Sequence, residues 1–410
     1  MIYVGVLGFG VVGSGVTEVI LMNSEKITTH LGQPLKVKKI LDVRKFPDSE
    51  FADLLTSDAD AFFNDSDISI VVETVGGVGI AYEFTKRALS QGKTVVTSNK
   101  ELVATHGVEL MAIATQNNCA YLFEASVGGG IPIIRPLHRC LAANRIMKIT
   151  GIVNGTTNYI LTQMTLSKTD FKSALVRAQE KGYAEQNPSA DIDGIDAQRK
   201  ISILASIAMN GAYVDPNKIH TEGISLIDET DIAYAKAMNS KIKLLAIFSN
   251  SDDTLAEIIV APHIVDEELP LCVASGVFNA IMVKGNALGD AMFYGKGAGR
   301  LATASAVVGD VLDGALHKGK NAHITQWYYP KKEILFPFEE MKVKALLRIQ
   351  KTTDAGKVRE VFPQIDVEPV DSIVDNENAF IVGKNGNLTE KDLADAIKKI
   401  PGFISRIRVY

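Results

Sequence analysis

The sequence has few cysteines, no excess of basic residues and no long apolar run. Its three cysteines, Cys119, Cys140 and Cys272, are far apart and form no C-x-x-C pair. This sparse, odd set predicts reduced thiols and a cytoplasmic protein. The formal net charge of -5 gives no basic footprint for a nucleic acid. The sequence contains no run of about 20 apolar residues, so no membrane span is expected. The opening MIYVGVLGFG is typical of a strand and not of a secretory leader.

The length of 410 residues predicts two or three domains at roughly 150 residues each. Over the first third of the chain, short apolar stretches alternate with helical patterns; the apolar stretches include VGVLGFG, KVKKILDV, ISIVVET and KTVVTSN. This alternation is typical of an α/β fold with a parallel sheet covered by helices on both faces. We therefore expect an N-terminal Rossmann-type, doubly wound nucleotide-binding domain.

The remainder of the chain predicts two further units. From about Arg135, strand patterns mixed with long helical patterns predict a central α+β domain with an open sheet, for catalysis and dimerisation. The last seventy or so residues follow the order strand, helix, strand, strand, helix, strand, which is the ferredoxin-like βαββαβ pattern. The expected boundaries are 1–134 with a return helix at about 301–320, 135–300, a linker at 321–340, and 341–410.

The motif Gly8-Phe9-Gly10-Val11-Val12-Gly13 lies between the first strand and the first helix. In such a G-x-G-x-x-G motif the first glycine permits a tight turn, the second lets a pyrophosphate approach the backbone, and the third allows close helix packing. The helix N-terminus then offers amides and partial positive charge to phosphates. The motif predicts dinucleotide binding; a glycine turn that binds nothing is the alternative.

The residues after the second strand bear on the choice of cofactor. Asp42 is placed to bind ribose hydroxyls, which favours NAD, whereas Arg44 and Lys45 could receive the 2′-phosphate of NADP. The distance from Gly13 to Asp42 exceeds the usual ~20 residues, which predicts an insertion around NSEKITTHLGQP. NAD and NADP both stay open, as does a solvated basic turn.

Three further stretches follow predicted strands, where ligands bind in a doubly wound sheet. Lys100 in TSNK is placed to reach a cofactor or substrate, or is a surface lysine at a helix start. The segment 124–132, EASVGGGIP, offers carbonyls and one carboxylate, which suit a hard cation, or forms an interdomain hinge. The segment 154–158, NGTTN, caps a helix or binds a substrate carboxylate.

The stretch GYAEQNPSADIDGIDAQRK, residues 182–200, gathers four carboxylates in front of Lys200. A helix is expected to begin near Gly194 to Ala197, which places Asp196 and Lys200 four apart on one face. An exposed ion pair worth a few tenths of a kcal/mol is one reading. The apolar ISILASIA that follows instead predicts a helix entering a core, with its start at a cleft. A lysine there accepts a proton from an alcohol only if burial or a second lysine lowers its pKa from ~10.4.

Six motifs in order resemble those of the homoserine dehydrogenase family over about residues 1 to 320: GFGVVG, TSNKELVA, FEASVGGGIPIIRPL, GIVNGTTNYILTQM, KGYAEQNPSADIDGIDAQRK and GAGRLATASAVVGD. The tail resembles an ACT regulatory domain. The resemblance implies reversible reduction of L-aspartate 4-semialdehyde by NADPH or NADH to L-homoserine, in threonine and methionine biosynthesis. It implies a homodimer or tetramer, and threonine as a possible effector.

The resemblance also implies roles for individual residues. Lys100 and Lys200 match the catalytic lysine pair, with Lys200 as the proton donor to the carbonyl oxygen. The substrate would be bound by Glu185, Asp191, Asp196, Gly155 and Thr156. The cofactor would contact Gly8, Phe9, Gly10, Val11, Val12, Gly13, Arg44, Thr74, Lys100 and Gly182. A structural sodium ion would be held by Glu124, Val127, Gly129 and Ile131, three of them through carbonyls.

Two features depart from the family pattern. Leu301-Ala302 stands before Thr303 where many members have a proline, which changes little. In the tail, TTDAGKV lacks the proline of the Asp-x-Pro-Gly pattern common in ACT domains, so a tail that serves only assembly stays open. Two other functions compete: a non-catalytic sensor of nucleotide and amino acid, and a dehydrogenase that oxidises the same aldehyde. The latter needs a nucleophilic cysteine, which no predicted turn offers.

Overall fold

The computed structural model describes residues 1–250, 255–317, 326–353 and 355–410. Two sheets organise this part of the chain: a six-stranded parallel sheet and a ten-stranded mixed sheet. The α/β class and the N-terminal Rossmann-type sheet predicted from the sequence are confirmed.

The six-stranded sheet is built by the first 122 residues. Its strands run in the order β3-β2-β1-β4-β5-β6, so β1 lies between β2 and β4 at the topological switch point, where such sheets bind ligands. The elements are β1 (Ile2–Leu7), α1 (Val11–Met22), α2 (Ser24–Leu31), β2 (Leu35–Leu41), β3 (Leu55–Thr56), α3 (Ala59–Phe63), β4 (Ile68–Glu73), α4 (Gly79–Ser90), β5 (Thr94–Thr97), α5 (Lys100–Gln116) and β6 (Tyr121–Leu122).

The central part of the chain forms one half of the larger sheet, in the order β12-β11-β7-β9-β10. These strands pair antiparallel, and helices cover the sheet. The elements are β7 (Ile146–Ile152), α6 (Gly155–Ser167), α7 (Phe171–Glu180), α8 (Ser189–Ile192), α9 (Ile195–Ala208), β8 (His220–Thr221), α10 (Glu229–Ala237), β9 (Ser240–Ser249), β10 (Glu257–Asp266), β11 (Phe278–Gly285), β12 (Gly289–Lys296) and α11 (Arg300–Leu316).

The last part of the chain extends the same sheet. Its elements are β13 (Ala345–Gln350), α12 (Ala355–Val361), β14 (Val367–Val370), β15 (Glu377–Val382), α13 (Glu390–Ile397) and β16 (Phe403–Val409), which is the βαββαβ order. Its strands lie in the order β16-β13-β15-β14. Strand β16 pairs in parallel with β10, where His263 is opposite Arg408. The sheets of the central and C-terminal parts are therefore continuous.

Helix α11 packs against the N-terminal sheet. Its buried Ala304 and Val307 pack in one apolar cluster with Val6 of β1 and Val16 of α1. The approach is close, because a Cβ on Gly15 would lie 2.8 Å from the carbonyl oxygen of Arg300. The end of the predicted helix, 318–320, lies outside the described residues.

Two local features go beyond what the sequence predicted. The predicted insertion before β2 is helical over Ser24–Leu31. Strand β12 was not predicted. It lies at a sheet edge with alternating exposure.

The predicted linker at 321–340 is packed against the protein in its described part. Trp327 is 1% exposed. Its ring lies 5.7 Å from that of Phe123, and a Cβ on Gly107 would approach it to 2.8 Å. Backbone hydrogen bonds join Tyr328 to Gly211 and Tyr213. The described part of this segment is therefore packed against the protein and is not a solvent-exposed linker.

Candidate active site

A cleft of about 450 Å³ opens between the carboxyl ends of the parallel strands and the start of α9. Its lining includes six of the residues predicted to form the site: Val12, Thr74, Lys100, Glu185, Asp191 and Asp196. These residues are up to 184 positions apart in the sequence, and two different sheets bring them together. The cleft therefore places Val12 of the predicted cofactor loop beside the predicted substrate residues. Neither Lys200 nor the other residues of the cofactor loop are part of the cleft lining.

The glycine loop between β1 and α1 has the geometry that a pyrophosphate needs. Gly8 has φ +87°, and a Cβ on Gly13 would lie 1.9 Å from the Gly8 carbonyl oxygen. A Cβ on Gly10 would meet nothing nearer than Arg44 Nη2 at 3.8 Å. Among the described residues, no side chain caps the start of α1, so its first amides are open to an anion. The residues present fit a dinucleotide.

Two side chains hold this loop to its neighbours. The Thr74 hydroxyl donates to the carbonyl oxygens of Leu7 at 2.9 Å and Gly8 at 3.0 Å. The Phe9 amide donates to Asp42 Oδ2 at 2.7 Å. Thr74 and Asp42 therefore fix the turn on both sides of β1.

Arg44 forms a bidentate ion pair with Asp42 beyond the end of β2. Its Nε and Nη2 donate to the two carboxylate oxygens at 3.0 and 2.7 Å. This pairing is the main reason that the pKa of Asp42 is lowered to about 2. The Arg44 side chain is 59% exposed, so it can turn toward a phosphate, whereas the Asp42 side chain is 6% exposed. Both predicted determinants of cofactor choice thus meet at one place.

The two predicted catalytic lysines share one carboxylate. Lys100 Nζ lies 2.6 Å from Asp196 Oδ1, and Lys200 Nζ donates to Asp196 Oδ2 at 2.7 Å and to the Val153 carbonyl oxygen at 2.7 Å. Lys100 begins α5 on the parallel sheet, whereas Asp196 and Lys200 lie on the first turns of α9. The bridge joins the two halves of the cleft.

The two lysines differ in exposure and in acidity. The Lys200 side chain is 9% exposed and that of Lys100 is 38% exposed. Burial is the main effect on Lys200 and lowers its pKa despite the Asp196 charge. Burial also acts to lower the pKa of Lys100, but the attraction of Asp196 outweighs it and the pKa is raised. Asp196 is held ionised, since the two ammonium groups outweigh its burial and keep its pKa well below the usual value.

Asn154 extends this network to the next predicted acid. Its Nδ2 donates to Asp191 Oδ1 at 2.7 Å and to Asp196 Oδ2 at 2.9 Å, while its Oδ1 caps α6 by accepting from the Thr157 amide at 2.8 Å. The predicted substrate residues Gly155 and Thr156 follow at the start of α6. Neither lines the cleft, and the Thr156 hydroxyl donates to the Tyr183 carbonyl oxygen.

Two predicted residues after α7 differ in position. Glu185 is exposed and lines the cleft. Gly182 lies three residues earlier at φ +69°, where it ends α7, and it is not part of the cleft lining. Its predicted contact with cofactor or substrate stays a prediction.

Sequence reasoning missed a second ion pair across the cleft. Arg199 Nη2 lies 2.8 Å from Glu101 Oε1, and both side chains line the cavity. Each residue is adjacent in sequence to one of the two predicted lysines, which is the signal that could have found the pair. Glu73 was also missed. Its buried carboxylate accepts from the Thr97 hydroxyl at 2.6 Å and ties β4 to β5, and its burial raises its pKa.

The loop predicted to hold a cation has a different arrangement from the one expected. The Glu124 carboxylate accepts from the amides of Ile133, Ile134 and Arg135 and from Arg135 Nε. Two carboxylate oxygens offer about four lone-pair sites, so N–H donors already fill them. The role of Glu124 as a cation ligand stays a prediction, and its side chain is occupied by these donors in this structure.

The main-chain oxygens of the same loop are still open. No described residue donates a backbone hydrogen bond to the carbonyls of Val127, Gly129 or Ile131, all of which are buried. Gly129 has φ +57° and packs so closely that a Cβ would lie 2.1 Å from the Gly297 carbonyl oxygen. Buried carbonyls are hard donors that fit an alkali cation. Within the described ranges, no three His, Cys, Asp or Glu side chains cluster as a metal site.

Membrane segments were searched over the same ranges. None of the described helices combines the length and the hydrophobicity that crossing a bilayer requires.

Two family models match the chain. The model for the homoserine dehydrogenase NAD binding domain matches residues 8–124, and the model for homoserine dehydrogenase matches residues 132–312. Together they cover both sides of the cleft.

Whole proteins give the same result. The homoserine dehydrogenase of Bacillus subtilis is 41% identical over 314 residues, covering 76% of this chain and 72% of that protein. The crystal structure of a homoserine dehydrogenase from Thiobacillus denitrificans superimposes with a TM-score of 0.91 at 34% identity, covering 100% of this chain and 98% of that one. A hyperthermophilic archaeal homoserine dehydrogenase in complex with NADPH has a TM-score of 0.65 at 30% identity, covering 77% of this chain and 98% of its own. The chain belongs to the homoserine dehydrogenase family, a family of NAD(P)-dependent oxidoreductases.

Proposed function

We propose that this chain catalyses the reversible oxidation of L-homoserine to L-aspartate 4-semialdehyde, in threonine and methionine biosynthesis, with Lys100 and Lys200 acting on the substrate oxygen. The observation that carries the proposal is the Asp196 carboxylate, which lies 2.6 Å from one ammonium group and 2.7 Å from the other. Val12 of the glycine loop and Thr74 behind that loop line the same cleft as Lys100 and Asp196.

The acids of the cleft suit the charge of an amino-acid substrate. We assign the substrate ammonium to Glu185 and Asp191, whose carboxylates line the cavity. Asp196 is neutralised by its two lysines and so organises them instead of binding the ammonium directly. Gly155 and Thr156 lie at the start of α6, outside this lining. The Thr156 hydroxyl donates to the Tyr183 carbonyl oxygen and so supports the loop that carries Glu185.

The two lysines divide the proton transfer between them. A nicotinamide bound in the cleft would supply the chemistry of hydride transfer at the alcohol carbon of homoserine. Lys200 takes the alcohol proton, because its lowered pKa makes its neutral amine accessible. Two of its three N–H directions are used by Val153 and Asp196, which leaves one for the substrate oxygen. Lys100, with its raised pKa, stays charged and stabilises the oxyanion.

The cofactor is NADP or NAD, held by the loop from Gly8 to Gly13 with Thr74 behind it. Arg44 is the residue that would bind the 2′-phosphate, and in that state it releases Asp42. With NAD, Asp42 would serve the ribose hydroxyls.

A sodium ion is proposed for the loop at 124–131, with the main-chain oxygens of Val127, Gly129 and Ile131 as ligands. Glu124 would then act by fixing the loop through its amide contacts. An ion there would stabilise the junction between the parallel sheet and β12, whose Lys296 carbonyl oxygen accepts from the Gly130 amide.

The domain division is also a proposal, with boundaries 1–134, 135–300, 321–340 and 341–410 and α11 returning to the first domain. The unit at 341–410 is the candidate site for threonine. Asp354 of its altered motif lies outside the described residues.

Self-association into a dimer or tetramer through the open sheet is supported by the exposed Met292 and Tyr294 on β12. A cytoplasmic location is supported by the sparse cysteines.

One assay tests the activity. The full chain with L-homoserine should reduce NADP or NAD, followed by the absorbance of the reduced nicotinamide. No turnover with either cofactor would favour the non-catalytic sensor instead. Repeating the assay with added threonine tests the effector, because inhibition is expected only if the C-terminal unit binds it.

A further inference from the structure

The segment 219–231 lies between the C-terminal unit and the substrate side of the cleft. It follows α9, includes β8, and ends in the first turn of α10. One side of it contacts strands β13 and β16, and the other contacts α8, which carries Asp191. The segment is therefore placed to transmit a displacement of the C-terminal strands to α8 and Asp191.

On the C-terminal side, Glu222 is held by two arginines of β16. Arg408 donates to Glu222 Oε2 at 2.7 Å and to Oε1 at 2.8 Å, and Arg406 donates to Oε1 at 2.8 Å. Arg408 is 3% exposed and is itself fixed by Glu390, at 2.6 and 3.0 Å. His220 Nε2 lies 2.8 Å from the same Glu222 carboxylate. Such charge-assisted, forked contacts are strong and directional.

A second set of contacts holds the other end of the segment. Arg348 of β13 donates to Asp228 and to Asp231, each at 2.7 Å, and is fixed by Glu377 at 2.9 and 3.0 Å. The segment is therefore held to the C-terminal unit at two points, nine residues apart at their limits.

On the substrate side, the residues next to Glu222 contact α8 directly. The Ile224 amide donates to the Ile192 carbonyl oxygen at 2.8 Å. A Cβ on Gly223 would lie 2.3 Å from that same oxygen and 2.7 Å from the Cα of Asp193. The two backbones thus touch without an intervening side chain, so a shift at Glu222 must move Ile192.

Ile192 is adjacent to Asp191, whose carboxylate accepts from Asn154 in the network of Asp196 and Lys200. We infer that Glu222 is a positioning residue: held by Arg408 and Arg406, it sets the place of Asp191 through Ile192 and thereby the affinity for the substrate ammonium. This inference rests on the proposed function, because it takes Asp191 as an ammonium ligand.

The test compares steady-state constants of the full-length chain with the variant Glu222→Gln. We expect the KM for homoserine to rise about tenfold, the size that weakening one charge-assisted contact produces. The KM for the cofactor should stay within about twofold, because the glycine loop lies on the other sheet. Glu222→Asp should restore part of the affinity. Glu377→Gln is the matched control: it loosens the second attachment of the segment, at Arg348, but leaves Glu222 and the contact of Gly223 and Ile224 with Ile192 in place. If the position of Glu222 is what matters, this variant should lower the melting temperature with little change in the KM for homoserine.

The result that overturns the inference is an unchanged homoserine KM in Glu222→Gln, or an equal rise in Glu377→Gln. Arg406→Gln removes one half-buried contact and keeps the test available if Glu222→Gln does not fold; we expect about a threefold rise in KM, and no rise would also overturn it. Absence of turnover in the unsubstituted chain would instead count against the proposed function itself, so the two failures are distinguishable.

Discussion

Replacing Asp196 by Asn removes the negative charge between the two lysines while keeping the shape of the side chain. At about 4 Å and an effective dielectric constant of ~20, a unit charge pair is worth about 4 kcal/mol. Lys200 is nearly buried, so it experiences most of this interaction energy with Asp196. Lys100 is partly exposed, so water screens its interaction. The neutral amine of Lys200 should therefore be favoured at lower pH in the variant.

The assay is the pH profile of kcat/KM for homoserine oxidation. In the oxidation direction Lys200 must be neutral, so activity rises as pH passes through its pKa. Without Asp196 that rise should move to lower pH by about two units, after discounting for solvent, at roughly 1.4 kcal/mol per unit. The plateau should fall by roughly tenfold, because a weaker base accepts the proton less readily.

Asp193→Asn is the matched control, since Asp193 is exposed, is of the same type and does not line the cleft. Its profile should coincide with that of the unsubstituted chain. If the profile of Asp196→Asn stays at the same pH with a plateau within about threefold, the shared carboxylate does not govern the proton transfer and the reasoning fails.

Two further predictions concern the cofactor and the stability of the fold. Arg44→Ala should weaken NADP binding about tenfold and leave NAD binding unchanged or tighter, because the phosphate loses a charged donor while Asp42 is freed; equal losses in titrations of both cofactors would contradict this. Lys243 is 2% exposed, and burial lowers its pKa to about 8, so the unfolded state binds more protons between about pH 8 and 10.5. The unfolding free energy should rise over that window by up to about 3 kcal/mol, and urea titrations at pH 7 and 9.5 should show a larger rise in the unsubstituted chain than in Lys243→Met; equal rises would contradict this.

The sequence predicted the features that depend on local pattern. The β1–α1 glycine loop was predicted from the spacing of its three glycines. The structure agrees with this, because the loop has no room for a Cβ at Gly13. The burial of Lys200 followed from the apolar residues after it on α9. Strand β12 was missed because its side chains alternate between half-buried and exposed at a sheet edge, which leaves little hydrophobic signal.

Contacts between distant segments were beyond local reasoning. Asn154 was read as a cap, and it does cap α6, but its second role depends on Asp191 and Asp196 lying within 3 Å of it, 37 and 42 residues away. The parallel pairing of β16 with β10 joins residues about 145 positions apart and made one sheet where two were expected. The contacts of the Glu124 carboxylate could not be predicted for the same reason. Its amide donors follow a glycine-rich turn, and the sequence does not determine the direction of that turn.

The central claim is that Lys200 exchanges the proton with the substrate oxygen. The direct measurement is kcat for homoserine oxidation in Lys200→Met, together with the dissociation constant of the cofactor in the same preparation. Our account predicts a fall in kcat of about a hundredfold or more with cofactor affinity unchanged. A variant that turns over within about threefold of the unsubstituted chain would contradict it.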